Sequence, residues 1–449
     1  MKKFIALIMS VLLLSLTGCK GNHKDVPSDP ETTEPLRVFI DVEFGSHVFT
    51  PIEQFLDEYE VEQKKGSTTT SYKKFQDVIT ELGGPEDIEL ELAPKCGNER
   101  DIFLTALRTE MMSGKGPDLF ITLSGYGNHW DDPSLTEMCR TYSLFQFPQQ
   151  AMKRNMFLPL DSYIEKAQFM EWDKLTPVIM EAGRTDKGQL LLPMTYTVPV
   201  GIFKSGDVDF PLDPGLSWRD MLSGPPAAQV SAASSHASLQ SAALWPIADY
   251  EHDKLALTEE ELLEYVAARA EAGERLKSER VPEGSVSSLI PNYWFDEGIS
   301  SEDELTMIPL YSRSGGYSAV ITSFIGINAN TKRPDDAFFI TDYLMSKEGQ
   351  QSKLYAHMTS GSAVPTMEGL LSGRGWGVSD AGDSYVYMPE NLYKEFVKVR
   401  DNISGAEFYT PLDAELFSLY SELFDSAEKP LEELVHEFYM RMNMILAES

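Results

Sequence analysis

Apolar and polar residues change places along this chain in short blocks whose period switches between two and about 3.6. Leu36-Arg37-Val38-Phe39-Ile40 reads as a strand, and Val48, Phe49, Ile52, Phe55, Leu56 and Tyr59 follow at helical spacing. Residues 60–85 are polar, with Ser67 to Ser71 a loop; Ile88-Glu89-Leu90-Glu91-Leu92 then alternates as a second strand. Asn98 and Asp101 suit the start of a helix with Ile102, Phe103, Ala106, Leu107 and Met111 on one face. Gly114 stops that helix, and Leu119 to Leu123 is a third strand. Leu190-Leu191-Leu192-Pro193 is a short strand that breaks at its proline. Helices are expected over Glu259 to Leu276, from Pro334 through Met345, and after Pro430 with Leu431, Leu434, Val435, Phe438 and Met442 inward. Strands alternating with helices, too far apart for hairpins, predict α/β structure with mostly parallel sheets. Ligands of such sheets bind beyond the carboxyl ends of the strands, which singles out Ser124 to Trp130.

The first residues do not fit that pattern. Met1-Lys2-Lys3 is basic, and Phe4 to Leu16 is apolar except for Ser10 and Ser15, too short to span a bilayer stably. Leu16-Thr17-Gly18-Cys19 resembles the bacterial lipobox. That resemblance implies a signal peptide over 1–18, cleavage before Cys19 and a diacylglyceryl anchor on its sulfur, with 19–35 a flexible tether. Cys96 and Cys139 could form one disulfide or remain thiols. Seventy acids against 38 bases give a net charge of −32 and leave no basic stripe for nucleic acid. Hydrophobic residues make up 42 %, enough for large cores across 449 residues, so two or three domains are expected. There is no G-x-S-x-G, H-E-x-x-H or C-x-x-C, no phosphate-loop motif and no clustered metal-ligand set, so neither an enzyme nor a cofactor is expected.

Several segments, in order, resemble extracellular solute-binding proteins of family 1, the sugar-binding class that serves ABC importers. They are Ser113-Gly114-Lys115-Gly116-Pro117-Asp118-Leu119, Phe157 to Ile164, Gly188 to Pro193, and Ser217-Trp218-Arg219-Asp220-Met221-Leu222. Phe324-Ile325-Gly326-Ile327-Asn328, Asp336 to Leu344 and Ser346-Lys347-Glu348-Gly349-Gln350 continue the match. The resemblance implies a two-lobed clamp of type II, each lobe a mostly parallel sheet flanked by helices. One lobe takes 36–195 plus 318–360 and the other 200–316 plus 365–449, with crossings near 196–201, 316–322 and 360–365. It implies a monomer on the outer face of a bacterial cell membrane. Captured carbohydrate, an oligosaccharide by preference, is passed to permease subunits driven by a cytoplasmic ATPase. A ligand-sensing receptor for a sensor kinase and an extracellular glycan-degrading enzyme are the alternatives.

Sugar sites combine aromatic faces for ring C–H surfaces with acids and amides for hydroxyls. On that chemistry the expected ligand contacts are Asp41 and Glu43 after the first strand, and Tyr126 and Trp130 after the third. Tyr196 at the first crossing, Trp245, Trp294 and Tyr317 complete the set. Gly201 to Ser205 stands where many relatives carry an aromatic–asparagine pair, a departure that bears on which sugar is held.

Overall fold

The computed structural model describes residues 34–41, 57–64, 67–94, 97–125, 143–204, 208, 210–234, 237–279, 284–287, 304–350, 364–366, 376–378, 384–386, 390–425 and 429–449. Cys19, Glu43, Cys96, Tyr126, Trp130, Cys139 and Trp294 lie outside them, as does the helix expected from Val48, apart from its end. Among the described residues no helix is long and apolar enough to cross a membrane.

Ten strands make the two principal sheets: β1 (Leu36–Ile40), β2 (Ile88–Leu92), β3 (Leu119–Leu123), β4 (Leu191–Thr197), β5 (Val200–Lys204), β6 (Gly284–Ser287), β7 (Leu305–Pro309), β8 (Ser318–Ile327), β9 (Val364–Pro365) and β10 (Gly405–Phe408). The large sheet runs β9–β4–β8–β3–β1–β2, with β10 also on β8; the small sheet runs β6–β5–β7. Seven helices matter below: α1 (Gly97–Met112), α2 (Pro148–Lys153), α3 (Pro226–Ser234), α4 (Glu259–Leu276), α5 (Pro334–Leu344), α6 (Pro411–Asp425) and α7 (Leu431–Glu448).

The parallel order expected from sequence holds where β1 lies between β2 and β3, and β10 joins β8 in parallel. It gives way elsewhere: β8 runs antiparallel to both β3 and β4, and the small sheet is antiparallel throughout. The cause is chain reversal. β8 re-enters the large sheet from the small one, so it points against the strands that left it. β4 also differs from expectation, running straight through Pro193 to Thr197. Its register on β8 shifts just beyond the proline, where a missing ladder N–H is tolerated. Asp57–Lys64 and Ser67–Lys74 pair as antiparallel strands where the end of a helix and a loop were expected, Tyr59 pairing with Tyr72 and Val61 with Thr70. The Thr-Thr-Thr run is β-branched, which favours extended backbone.

The large sheet is buried on both faces. Phe120, Phe145, Phe157 and Phe324 interlock below it with centroids 4.9–6.2 Å apart. Each fully buried aliphatic or aromatic side chain of this kind contributes about 1.5–3 kcal/mol. Around the small sheet, Ser231 of α3 donates to Ile308 O of β7 at 2.9 Å, and Trp218 packs edge-on to Tyr265 of α4 at 5.0 Å. Thr258 and Glu261 close a capping box at the start of α4, which fixes that helix's entry.

The chain passes from the large to the small sheet at Val198-Pro199, between β4 and β5, and returns between β7 and β8. Leu310 N–H donates to Pro199 O at 2.9 Å, so the two passages are laced together. A further passage follows β10. This strand sits on β8, and the helix after it, α6, packs on the 237–244 segment and on α7.

Candidate functional site

The passages converge at the carboxyl end of β1 and β3, where side chains from both layers meet. Asp41 N–H stays on Ile121 O at 2.9 Å, extending the β1–β3 pairing by one residue. Its carboxylate turns inward, 1 % exposed, and takes both guanidinium nitrogens of Arg100 on α1 at 2.8 and 2.7 Å. Arg100 also donates to Pro94 O. Such a bidentate pair neutralises itself, and its work is to fix α1 against the strand ends.

One strand over, Ser124 donates its N–H to Thr322 O and its hydroxyl to Ile321 O. Gly125 lies flat on Tyr409, where an added Cβ would sit 3.1 Å from the ring. Thr195 of β4 and Thr322 of β8 share a hydroxyl contact of 2.6 Å. Between these strands Tyr196 is buried. Tyr317, just before β8, is also buried; its hydroxyl donates to Val399 O at 2.7 Å and its ring stands edge-on to Tyr311. Both tyrosines face protein, not open solvent.

Trp245 enters from the small-sheet side through a cis Trp245-Pro246 bond and is buried. Its indole Nε1–H donates to Asp413 Oδ1 at 2.8 Å. Asp413 occupies the third position of α6, and its other oxygen accepts from Thr410 N–H (2.7 Å) and hydroxyl (2.8 Å). The carboxylate thus accepts three hydrogen bonds, two on one oxygen from the residue before the helix and one on the other from Trp245. Burial raises the Asp413 carboxyl above the usual range, and the hydrogen bonds from Trp245 and Thr410 oppose that rise.

Glu407 completes the group. It lies opposite Val320 in the β10–β8 pairing. Its side chain is half-buried, and no described residue donates a hydrogen bond to it. Surrounding protein, helped by the negative charge of Asp413, pushes its carboxyl up to about 7. Tyr250 has the same character: it is half-buried, its hydroxyl is raised by burial and by Asp413, and Thr410 bonds it. Sequence reasoning missed Glu407. Its one signal was an acid inside an otherwise apolar run, Ala406-Glu407-Phe408-Tyr409.

The structure therefore brings Asp41, Tyr196, Trp245 and Tyr317 to the strand ends and passages, but as buried groups with protein around them. Glu43, Tyr126, Trp130 and Trp294 lie outside the described residues. Among the described residues, no three His, Cys, Asp or Glu side chains gather as a metal site would require. None of Asp41, Tyr196, Trp245, Tyr317 and Glu407 lines either of two surface cavities. One of about 460 Å³ lies between Phe147 and Pro411, Ala414 and Ile445; the other, of about 400 Å³, is lined by Tyr163, Lys166, Phe338 and Phe339.

No family model and no curated protein matches the chain. Solved structures do. A periplasmic oligogalacturonide-binding protein from Yersinia enterocolitica superposes with TM-score 0.52 at 14 % identity, over 92 % of this chain and 99 % of that one. A de novo designed esterase improved by directed evolution and rational design gives 0.52 at 13 % identity, over 92 % and 98 %. At such identities the likeness speaks for the fold, and the chain has the two-lobed α/β fold of solute-binding proteins.

Proposed function

We propose that this chain is an extracytoplasmic solute-binding lipoprotein that captures a carbohydrate between two lobes and delivers it to an ABC importer. The observation that carries the reading is end-to-end likeness to a binding protein for an oligosaccharide, together with two sheets joined by laced passages of the chain. In this reading one lobe takes 36–195 plus 318–360 and the other 200–316 plus 365–449; within the second stretch, β10 and Pro365 of β9 reach back to the large sheet. In a clamp of this design, contacts made by both lobes at once drive closure on ligand.

Stacking on sugar rings falls to Tyr126, Trp130 and Trp294, with Glu43 taking hydroxyls. Asp41, Tyr196, Trp245 and Tyr317 brace the strand ends and passages from behind, and Glu407 supplies a carboxyl that donates or accepts according to pH. Cys19 carries the lipid, and permease subunits receive the closed form. The lobes bind and release the ligand without chemical change.

A thermal-shift screen of the purified chain against neutral and acidic oligosaccharides, polyols, amino acids and metals tests this. A ligand at a hundred times its Kd adds about 2.7 kcal/mol of stability. A response confined to one saccharide family, lost in Trp130→Ala or Trp294→Ala, and recovery of that saccharide uncleaved support the reading. Silence on all sugars removes carbohydrate from it, and cleavage products turn it into an enzyme. Loss of membrane association in Cys19→Ala checks the anchor.

A further inference from the structure

The two sheet layers are joined by more than the chain passages. The loop and helix at 143–153 belong to the large sheet: Phe145 lies edge-on to Phe120 at 5.1 Å, and Arg108 of α1 donates to Ser143 O and Leu144 O. The 248–255 hairpin belongs to the other layer. Its second strand packs on α7, and Arg313 ties its flanks, Pro246 O and Ala256 O, to Glu261 of α4.

These two pieces meet at one polar point. Lys153 Nζ donates to Tyr250 O (3.0 Å), to Glu251 O (3.1 Å) and to the Asp253 carboxylate (2.9 Å). An ammonium has three hydrogens, and here each has an acceptor. Buried Gln150 adds a bond to Asp253 Oδ1 at 2.7 Å. Asp253 sits in the left-handed region at φ 50°, a conformation that turns its carboxylate toward α2. Phe147 stands edge-on to Tyr250 at 6.2 Å, and Arg154 donates to Ser449 O at the end of α7. Beside these contacts lies the 460 Å³ groove, with Gln146 and Phe147 on one wall and α6 and α7 on the other. The joint is thus tied by hydrogen bonds and one ring contact, beside a groove that protein does not fill, so parting it costs little apolar contact beyond Phe147 on Tyr250.

We propose that Lys153, Gln150 and Asp253 form a latch between the two layers, which biases the clamp toward the arrangement found here without touching ligand. This rests on the two-lobed reading above. The latch is modest by design. Lys153 and Asp253 are 42 % and 55 % exposed, so the pair belongs to the weak, salt-screened class. A device of this strength tunes a balance between two arrangements and does not lock one.

Amide hydrogen exchange on the ligand-free full chain tests the latch independently of any sugar. Leu310 is the reporter amide, because its bond to Pro199 O laces the two passages. Lys153→Met and Asp253→Asn should each speed exchange at Leu310 and over 248–255 by about two- to fivefold, the range of exposed ion pairs. The double variant should add little beyond either single one, and 0.5 M salt should move the wild type toward the variants. Faster exchange confined to 248–255, with Leu310 unchanged, would reduce the contact to a local staple and overturn the proposal. Additive effects of the two substitutions would do the same. The variants are at exposed sites, so either one alone suffices if the other folds poorly. A positive result here alongside silence on sugars would leave the latch standing and remove the carbohydrate reading.

Discussion

Replacing Glu407 with Gln should make the protein more stable at pH 8 and leave it unchanged at pH 4. The carboxyl is held up to about 7 in the folded chain, against about 4.3 for a free glutamate. Between those values the folded state keeps a proton that the unfolded state releases. Stability therefore falls as pH rises through that window and levels off above 7. The full difference corresponds to about 3–4 kcal/mol at 1.36 kcal/mol per unit. Glu407 retains solvent contact, which screens its charge, so about 1–2 kcal/mol is the expected gain at pH 8. Carboxylates held low by ion pairs, such as Asp87 on Arg333 and Glu264 on Arg219, act in the opposite sense in more acid solution. They are common to both proteins and cancel in the difference. Urea unfolding of wild type and Glu407→Gln at pH 4.5, 6, 7 and 8 reads the effect directly. Parallel pH profiles, or a variant less stable at pH 8, would refute the reasoning that burial holds this carboxyl up.

Two further outcomes follow from buried partners. Trp245→Phe keeps the aromatic packing but leaves Asp413 Oδ1 without its indole donor; urea unfolding should show a loss of about 1–3 kcal/mol. Arg100→Met strands the Asp41 carboxylate, 1 % exposed, and should cost about 3–5 kcal/mol. Adding Asp41→Asn should recover much of that loss, and a double variant no better than the single one would show that Arg100 acts by packing alone.

The strands were legible where their residues are buried on both faces. Leu36–Ile40 and Leu119–Leu123 are apolar runs with one reading, and the pairing of β1 with β3 follows from the sequence order of βαβ units. The direction of β8 was not legible. Ser318–Ile327 is as apolar as a parallel core strand, and only the path of the chain through the small sheet makes it antiparallel. At the site, aromatic residues near strand ends were findable by type, yet type does not separate a tryptophan that meets ligand from one that bonds Asp413. Trp245 is the second kind. Glu407 escaped because its interest comes from the protein packed around it and, second, from the charge of Asp413, relations that no local pattern encodes.

The position of β8 also governs when the molecule can become itself. Its strand lies between β3 and β4, and contacts such as that of Ser124 with Ile321 join residues 197 apart in sequence. Until Ser318–Ile327 has been made, β1, β2 and β3 have no ladder to β4, and the large sheet exists as two unjoined pieces. Such non-local closure slows folding and keeps the early chain open. A keystone placed this late in the sequence is a built-in delay, and moving β8 toward the N-terminus by circular permutation should let the sheet close sooner, read as faster refolding.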